Sequence, residues 1–330
     1  MLGELLAIVT VLCVILSNVL FRKIDGSVSP FHINAFRTSF GGLIFLFVAI
    51  IGDMFMHSSL IPPLLWILML VSIVFGQIIG DTAYFQTQKM IGTTSAMSIT
   101  TTFPIFTLFL SIIILAAQFS FTYYIAVLLV VIGILTLIKG KELQLKKEKE
   151  QETAKSEQTQ QISAIEISKL QLDLETKQPR SKVLIAAAFG LTSSFACALG
   201  IVLLQYTLEQ VANITNSPET SSMFVNAVRF PFAGIILIGL ASRVPAVPIK
   251  KWDRKLWAIL FLASILGTAF GAFFYTEATR LAGATFVSLI GASSPIFAIP
   301  IAYLLNKEKT NKLALFGVLI TVSGILLTFV

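Results

Sequence analysis

Few residues of this chain could do chemistry, and those that could stand where charge is costly. Asp81 lies in GQIIGDTAYFQTQKMIG, Gly76 to Gly92, and Glu277 lies in the related GTAFGAFFYTEATRLAG, Gly267 to Gly283. Arg37 and Arg229 each fall about seven residues into an apolar segment, roughly 10 Å deep at 1.5 Å per residue. On insertion scales a charge at helix centre costs about 2.5 to 3.5 kcal/mol, so each arginine must face the protein interior, a partner or a water-filled cavity. A guanidinium fork suits a carboxylate or phosphate, which makes Arg37 and Arg229 candidate substrate-binding residues. His32, Asn34 and Asn226 accompany them on the same segments. A carboxylate in an apolar setting can bind and release a proton, so Asp81 and Glu277 are candidates for proton coupling, with Asp81 the deeper. Tyr84 and Tyr275, one turn further along, offer a ring face and a hydroxyl to a ligand, or anchor the helix at the interface.

Other chemistries lack their signatures. There is no H-E-x-x-H for zinc and no G-x-S-x-G nucleophile elbow. IIGD at Ile78 to Asp81 lacks the earlier glycine of a G-x-G-D protease pattern. Cys13 and Cys197 fall in apolar segments, which argues against a disulfide framework, and His32 and His57 without clustered ligands argue against a metal site. No catalytic residue, cofactor or nucleic-acid partner is expected. An intramembrane enzyme and a channel are the rival classes, and no selectivity-filter-like ring supports the latter.

The elements that carry these residues follow from composition. The chain is 56% hydrophobic and 12% charged, against roughly 45 to 50% and 25% for soluble domains. About 20 apolar residues span a bilayer core. Ten such segments are predicted, at 2–21, 31–51, 63–84, 93–115, 121–138, 183–206, 222–241, 256–277, 284–305 and 312–330. They are apolar all round rather than alternating, which excludes a barrel and predicts an all-α membrane bundle. The first segment is a spanning helix, since Arg22 and Lys23 follow its apolar run instead of preceding it.

A Lys, Glu and Gln-rich tract, 139–182, divides the chain into 1–138 and 183–330, each with five segments. Its composition predicts a disordered linker with a helical start. Without a gap, Trp66 falls on Trp257, Gly76 on Gly267, Gly80 on Gly271, Tyr84 on Tyr275, Pro104 on Pro295 and Gly133 on Gly324. One residue of slip aligns Asn34 and Arg37 with Asn226 and Arg229. Asp81 has no acidic twin, because Ala272 stands there. The chain is therefore a duplication, and an odd number of spans per half makes it an inverted repeat, the architecture of secondary carriers. Gly76, Gly80, Gly267 and Gly271, in G-x-x-x-G pairs, predict close helix packing. Pro104 and Pro295 predict a kink or hinge in the fourth helix of each half, freeing the carbonyls of Thr100 and Gly291. Thr101 and Thr102, or Ser293 and Ser294, are placed to re-satisfy that backbone.

The segments TTFPIFTLFLSIIIL and SSPIFAIPIAYLLNKEKTNKLALFGVLITVSGILL resemble the closing helices of the EamA branch of the drug/metabolite transporter superfamily. Ser294, Pro295, Glu308, Gly317 and Gly324 match that pattern; the first half keeps Pro104 and Gly133 but has Phe103 and Ala117 where Ser and Glu would stand. The resemblance implies a carrier of small organic metabolites, such as an amino-acid exporter working by alternating access. A carrier of phosphorylated or nucleotide-linked metabolites is the alternative. Its partners are a small-molecule substrate and lipid, its place a plasma or inner membrane, and a monomer is compatible with the sequence. No Walker motif is present, so a gradient, possible with protons, is the expected driving force.

Family members are drawn with both termini in the cytoplasm, but the charges here indicate the reverse. With the N-terminus outside, every Lys and Arg outside the membrane except Arg280 lies on the cytoplasmic side, linker included. A cysteine introduced as Ser156→Cys should therefore escape an impermeant thiol reagent in intact cells. Labelling above the unsubstituted chain would reverse the orientation.

Overall fold

The computed structural model describes residues 1–22, 30–91, 93–157, 180–244, 254–297 and 311–329. The end of the ninth predicted helix, 298–305, and the turn around Glu308 lie outside these residues, as does 158–179 of the polar tract. In chain order the helices are α1 (Leu2–Arg22), α2 (Pro30–Ile51), α3 (Pro63–Ile73), α4 (Gly80–Ile91), α5 (Thr93–Thr100) and α6 (Phe103–Ile114). They continue as α7 (Phe121–Glu157), α8 (Arg180–Thr215), α9 (Pro218–Ala241), α10 (Arg254–Ser264), α11 (Gly271–Ala292) and α12 (Lys312–Leu327). A π-helical turn, Val74–Ile79, joins α3 to α4, and another, Ile265–Phe270, joins α10 to α11.

Among the described residues, eight stretches are long and apolar enough to cross a membrane. One of them, Arg254–Ala292, is two helices meeting at Gly283, whose φ of 82° and ψ of 156° favour a residue without a Cβ. With the shorter apolar α12 this resolves into ten crossings, five in each half. The chain is an all-α membrane protein built of two inverted five-helix repeats. Large apolar side chains such as Phe47, Ile235 and Leu319 are exposed along its flanks, as expected where lipid is the solvent.

Several helices outrun their predicted ends. The third crossing continues through Gln86 and Lys89 to Ile91, and α8 reaches Thr215, so polar residues that mark a membrane boundary do not mark a helix boundary. α7 likewise runs into the polar tract as far as Glu157.

The packing repeats with the sequence. α2 packs on its counterpart α9, and α7 on its counterpart α12, while α1 lies against α10 and α11 as α8 lies against α3 and α4. Individual contacts are reciprocal. A Cβ added at Gly42 would meet Pro231 and one at Gly234 would meet Ser39; one at Gly133 would meet Thr321 and one at Gly324 would meet Val130. Each of these pairs maps onto the other when the halves are exchanged. The π turns are equivalent as well, and next to them Gly80 lies against Cys197 and Gly271 against Cys13. Gly76 approaches Gly200 backbone to backbone, with 3.5 Å from a Cβ built on Gly76 to the Gly200 Cα, and Gly267 faces Ser17.

A π turn disturbs the i to i−4 ladder, and no water is present in lipid to compensate. Neighbouring helices supply the donors instead. Ser17 Oγ donates to the Ala263 carbonyl at 2.7 Å, Ser193 Oγ to the Gly80 carbonyl at 2.8 Å, and Cys197 Sγ to the Gly76 carbonyl at 3.5 Å. Other buried hydroxyls bond back within their own helix, as Thr87 does to Ala83 and Thr321 to Gly317.

Gly133→Ala places a methyl 2.6 Å from Thr321 N and 2.8 Å from Gly317 O, where both neighbours are backbone. It should cost about 1 to 3 kcal/mol and lower Tm. Gly239→Ala, whose added Cβ meets nothing within 4 Å, should leave Tm equal or higher. Equal losses at both sites would show that close approach is not the determinant.

Candidate substrate cavity

A cavity of about 530 Å³ lies between the two halves, within the range of small-molecule sites. α2 contributes Arg37, α4 Asp81 and Tyr84, α9 Arg229, and α11 Tyr275 and Thr276. α1 adds Thr10 and Val14, and α8 adds Ser193, Ser194 and Cys197. A further part of the wall is made where the fourth helix of each half breaks: Thr100, Thr101 and Phe103 in one, Gly291, Ala292, Ser294 and Pro295 in the other.

These breaks differ from the kink expected within a continuous helix. α5 ends at Thr100 and α6 begins at Phe103, with buried Pro104 in its first turn, where a missing amide is harmless. The Thr101 and Thr102 hydroxyls bond back to Met97 and Ile99 at 2.6 and 2.8 Å. From α8, Ser194 Oγ stands 3.3 Å from the Thr100 carbonyl, sharing its single proton with the Gly190 carbonyl of its own helix at 3.1 Å. In the second half a turn at Ser293, whose hydroxyl bonds to Leu289 at 2.7 Å, precedes Pro295.

Asp81 has a partner that the linear sequence conceals. Arg37 Nη2 stands 3.7 Å from its Oδ2, and both side chains are partly open, at 27% and 32% exposure. Arg37 Nε also donates to Asn34 Oδ1 at 2.8 Å, so the helix carrying the arginine orients it. Arg229 is held differently. It is only 6% exposed, its Nε has no hydrogen-bond partner, and among the described residues no acid pairs with it. Asn226, the twin of Asn34, accepts from Thr276 Oγ1 at 3.0 Å and donates to the Ala272 carbonyl at 3.5 Å.

Glu277 does not line the cavity. It accepts from Ser222 Oγ at 2.6 Å and from Arg280, an i, i+3 neighbour that forms an ion pair with it. Asn34, Asn226 and His32 do not line the cavity either, and the His32 Nδ1 is buried without a partner. Tyr84 and Tyr275 both face the cavity, and the Tyr84 hydroxyl accepts from Gln88 at 3.0 Å. Gly76, Gly267 and Gly271 form part of its wall, whereas Gly80 is buried behind it. The polar lining from α1 and α8 has no signal in the sequence; the structure shows it, with Cys197 of α8 lying against Gly80.

Residues 1–139 and 184–330 match the model of the EamA-like transporter family. An uncharacterized transporter encoded in the sor 3' region of Acidianus ambivalens is 31% identical over 107 residues, which is 32% of this chain and 37% of that relative. The aligned part thus spans little more than a third of that protein. A solved crystal structure superposes with a TM-score of 0.70 over 98% of this chain and 94% of its own, at 11% identity, and so shares the fold.

The Arg37 and Asp81 pair can be tested by a double-mutant cycle. Arg37→Gln and Asp81→Asn should each lower thermal stability, and the double variant should lose less than their sum. The expected coupling is about 0.5 to 1.5 kcal/mol, limited because both groups are partly open to water. Strict additivity would show that the pair contributes nothing.

Proposed function

This chain belongs to the EamA-like transporter family, a membrane transporter of the drug/metabolite superfamily, and from that premise we propose a secondary active carrier of a small organic metabolite. Amino acids or related compounds are the substrate class, export is the direction, and alternating access is the mechanism. The observation that carries this reading is the cavity between two inverted halves, walled by the broken fourth helix of each. Discontinuous helices at a repeat interface combine freed backbone polar groups with a place to bend. Both π turns also border this cavity through Gly76 and Gly267, so the wall is made where helical regularity is weakest.

Proton coupling is assigned to Asp81. Its carboxylate opens on the cavity and is shared with Arg37, so protonation would release the arginine and change the cavity charge. Glu277 is already occupied by Arg280 and Ser222 away from the cavity, which favours Asp81 between the two acids.

A thermal-shift screen against amino acids, organic acids, sugar phosphates and nucleosides identifies the substrate, since a ligand at 100 times its Kd adds about 2.7 kcal/mol. In proteoliposomes loaded with that substrate, Asp81→Asn should abolish gradient-driven accumulation while substrate exchange continues. Uphill transport that persists with an unchanged pH profile removes Asp81 from the coupling step.

A further inference from the structure

The two halves present the cavity with the same cation but only one anion. Arg37 faces Asp81, and exchange of the halves carries this pair onto Arg229 and Ala272, where the carboxylate is missing. Among the described residues, the only Asp, Glu, Lys or Arg side chains in the cavity wall are Arg37, Arg229 and Asp81, so one positive charge remains unmatched. That charge belongs to the arginine 6% exposed and lacking a partner at Nε, a costly arrangement in a protein interior unless something completes it. Asn226, three residues before Arg229, is engaged elsewhere, by Thr276 and the Ala272 carbonyl.

We infer that Arg229 is the seat of an oxyanion on the transported molecule, a carboxylate or a phosphate, which occupies the place left open by the absent carboxylate at position 272. This deepens the carrier reading and rests on it for the word transported, but the anion seat itself is a binding property. It assigns the two arginines different tasks. Arg37 is already neutralised by the protein's own carboxylate, whereas Arg229 receives its counter-charge with each ligand. It also gives the ligand a polarity, with its anionic end toward α9 and α11 and the rest toward the aromatic and hydroxyl wall of Tyr84, Thr101 and Ser194.

The test uses the full chain purified in detergent, titrated at constant ionic strength with acetate and, separately, with inorganic phosphate, and followed by thermal shift. The expected result is saturable stabilisation by at least one of the two, the stronger identifying the carboxylate or the phosphate as the natural group. Arg229→Gln should weaken the apparent affinity by at least about tenfold, the scale of one charge-assisted hydrogen bond, and Arg229→Lys should recover part of it. Ala272→Asp should abolish the response while keeping a cooperative melt, because it installs the missing counter-charge and leaves Arg229 itself intact. No response to either anion in the natural chain overturns the inference, as does a response that survives both Arg229→Gln and Ala272→Asp. Failure of the carrier reading looks different: anions would bind as described, yet proteoliposomes would move no ligand found by the screen.

Discussion

Lipid cannot hydrogen-bond, so any backbone group that leaves the helical ladder inside the membrane must find a partner within the protein. That constraint organises this molecule around the places where the ladder fails. The π turns at Val74–Ile79 and Ile265–Phe270 have glycines where neighbouring helices come close, and the serines and cysteine of α1 and α8 reach carbonyls there. The break between α5 and α6 is met in the same way by Ser194. The cavity lies among these irregularities because irregular backbone can exist at membrane depth only where protein or an aqueous space receives it.

Much of the architecture was legible in the sequence, since long apolar runs and a duplicated set of Trp, Tyr, Pro and Gly positions do not depend on tertiary detail. Arg37, Asp81, Arg229 and the two tyrosines stood out for the same reason: polar groups are conspicuous in an apolar segment. The pairing of Arg37 with Asp81 was hidden because it joins α2 to α4 across 44 positions of sequence, a distance read directly from the residue numbers. The π turns were hidden because glycines alone signal close packing as readily as a widened turn. The hydroxyls of α1 and α8 gave no warning, since a Ser or Thr in an apolar helix commonly satisfies its own backbone. Glu277 is the opposite case. Its partner Arg280 is a helical neighbour three residues on and can be read from spacing alone.

Duplication sets a pattern from which the chain then departs, and the departures are informative. Contacts such as Gly42 with Pro231 and Gly234 with Ser39 recur in both halves, as do the asparagines before each arginine. At the cavity the likeness ends: Ala272 stands at the position equivalent to Asp81, and one arginine is partly open while the other is buried. The frame retains its internal symmetry and the lining does not, as expected if the frame answers to the bilayer and the lining to a ligand that is itself asymmetric.

α8 has a mechanical consequence. Near its middle Ser194 holds the Thr100 carbonyl at the break of the first half, and farther along Gln205 Oε1 accepts from Ala284 N at 2.6 Å, where Gly283 parts the two helices of the second half. These anchor points lie about 16 Å apart along an unbroken helix at 1.5 Å per residue. A displacement of this helix therefore bears on both discontinuities, through Ser194 at one and Gln205 at the other, by a route along α8 that bypasses the cavity.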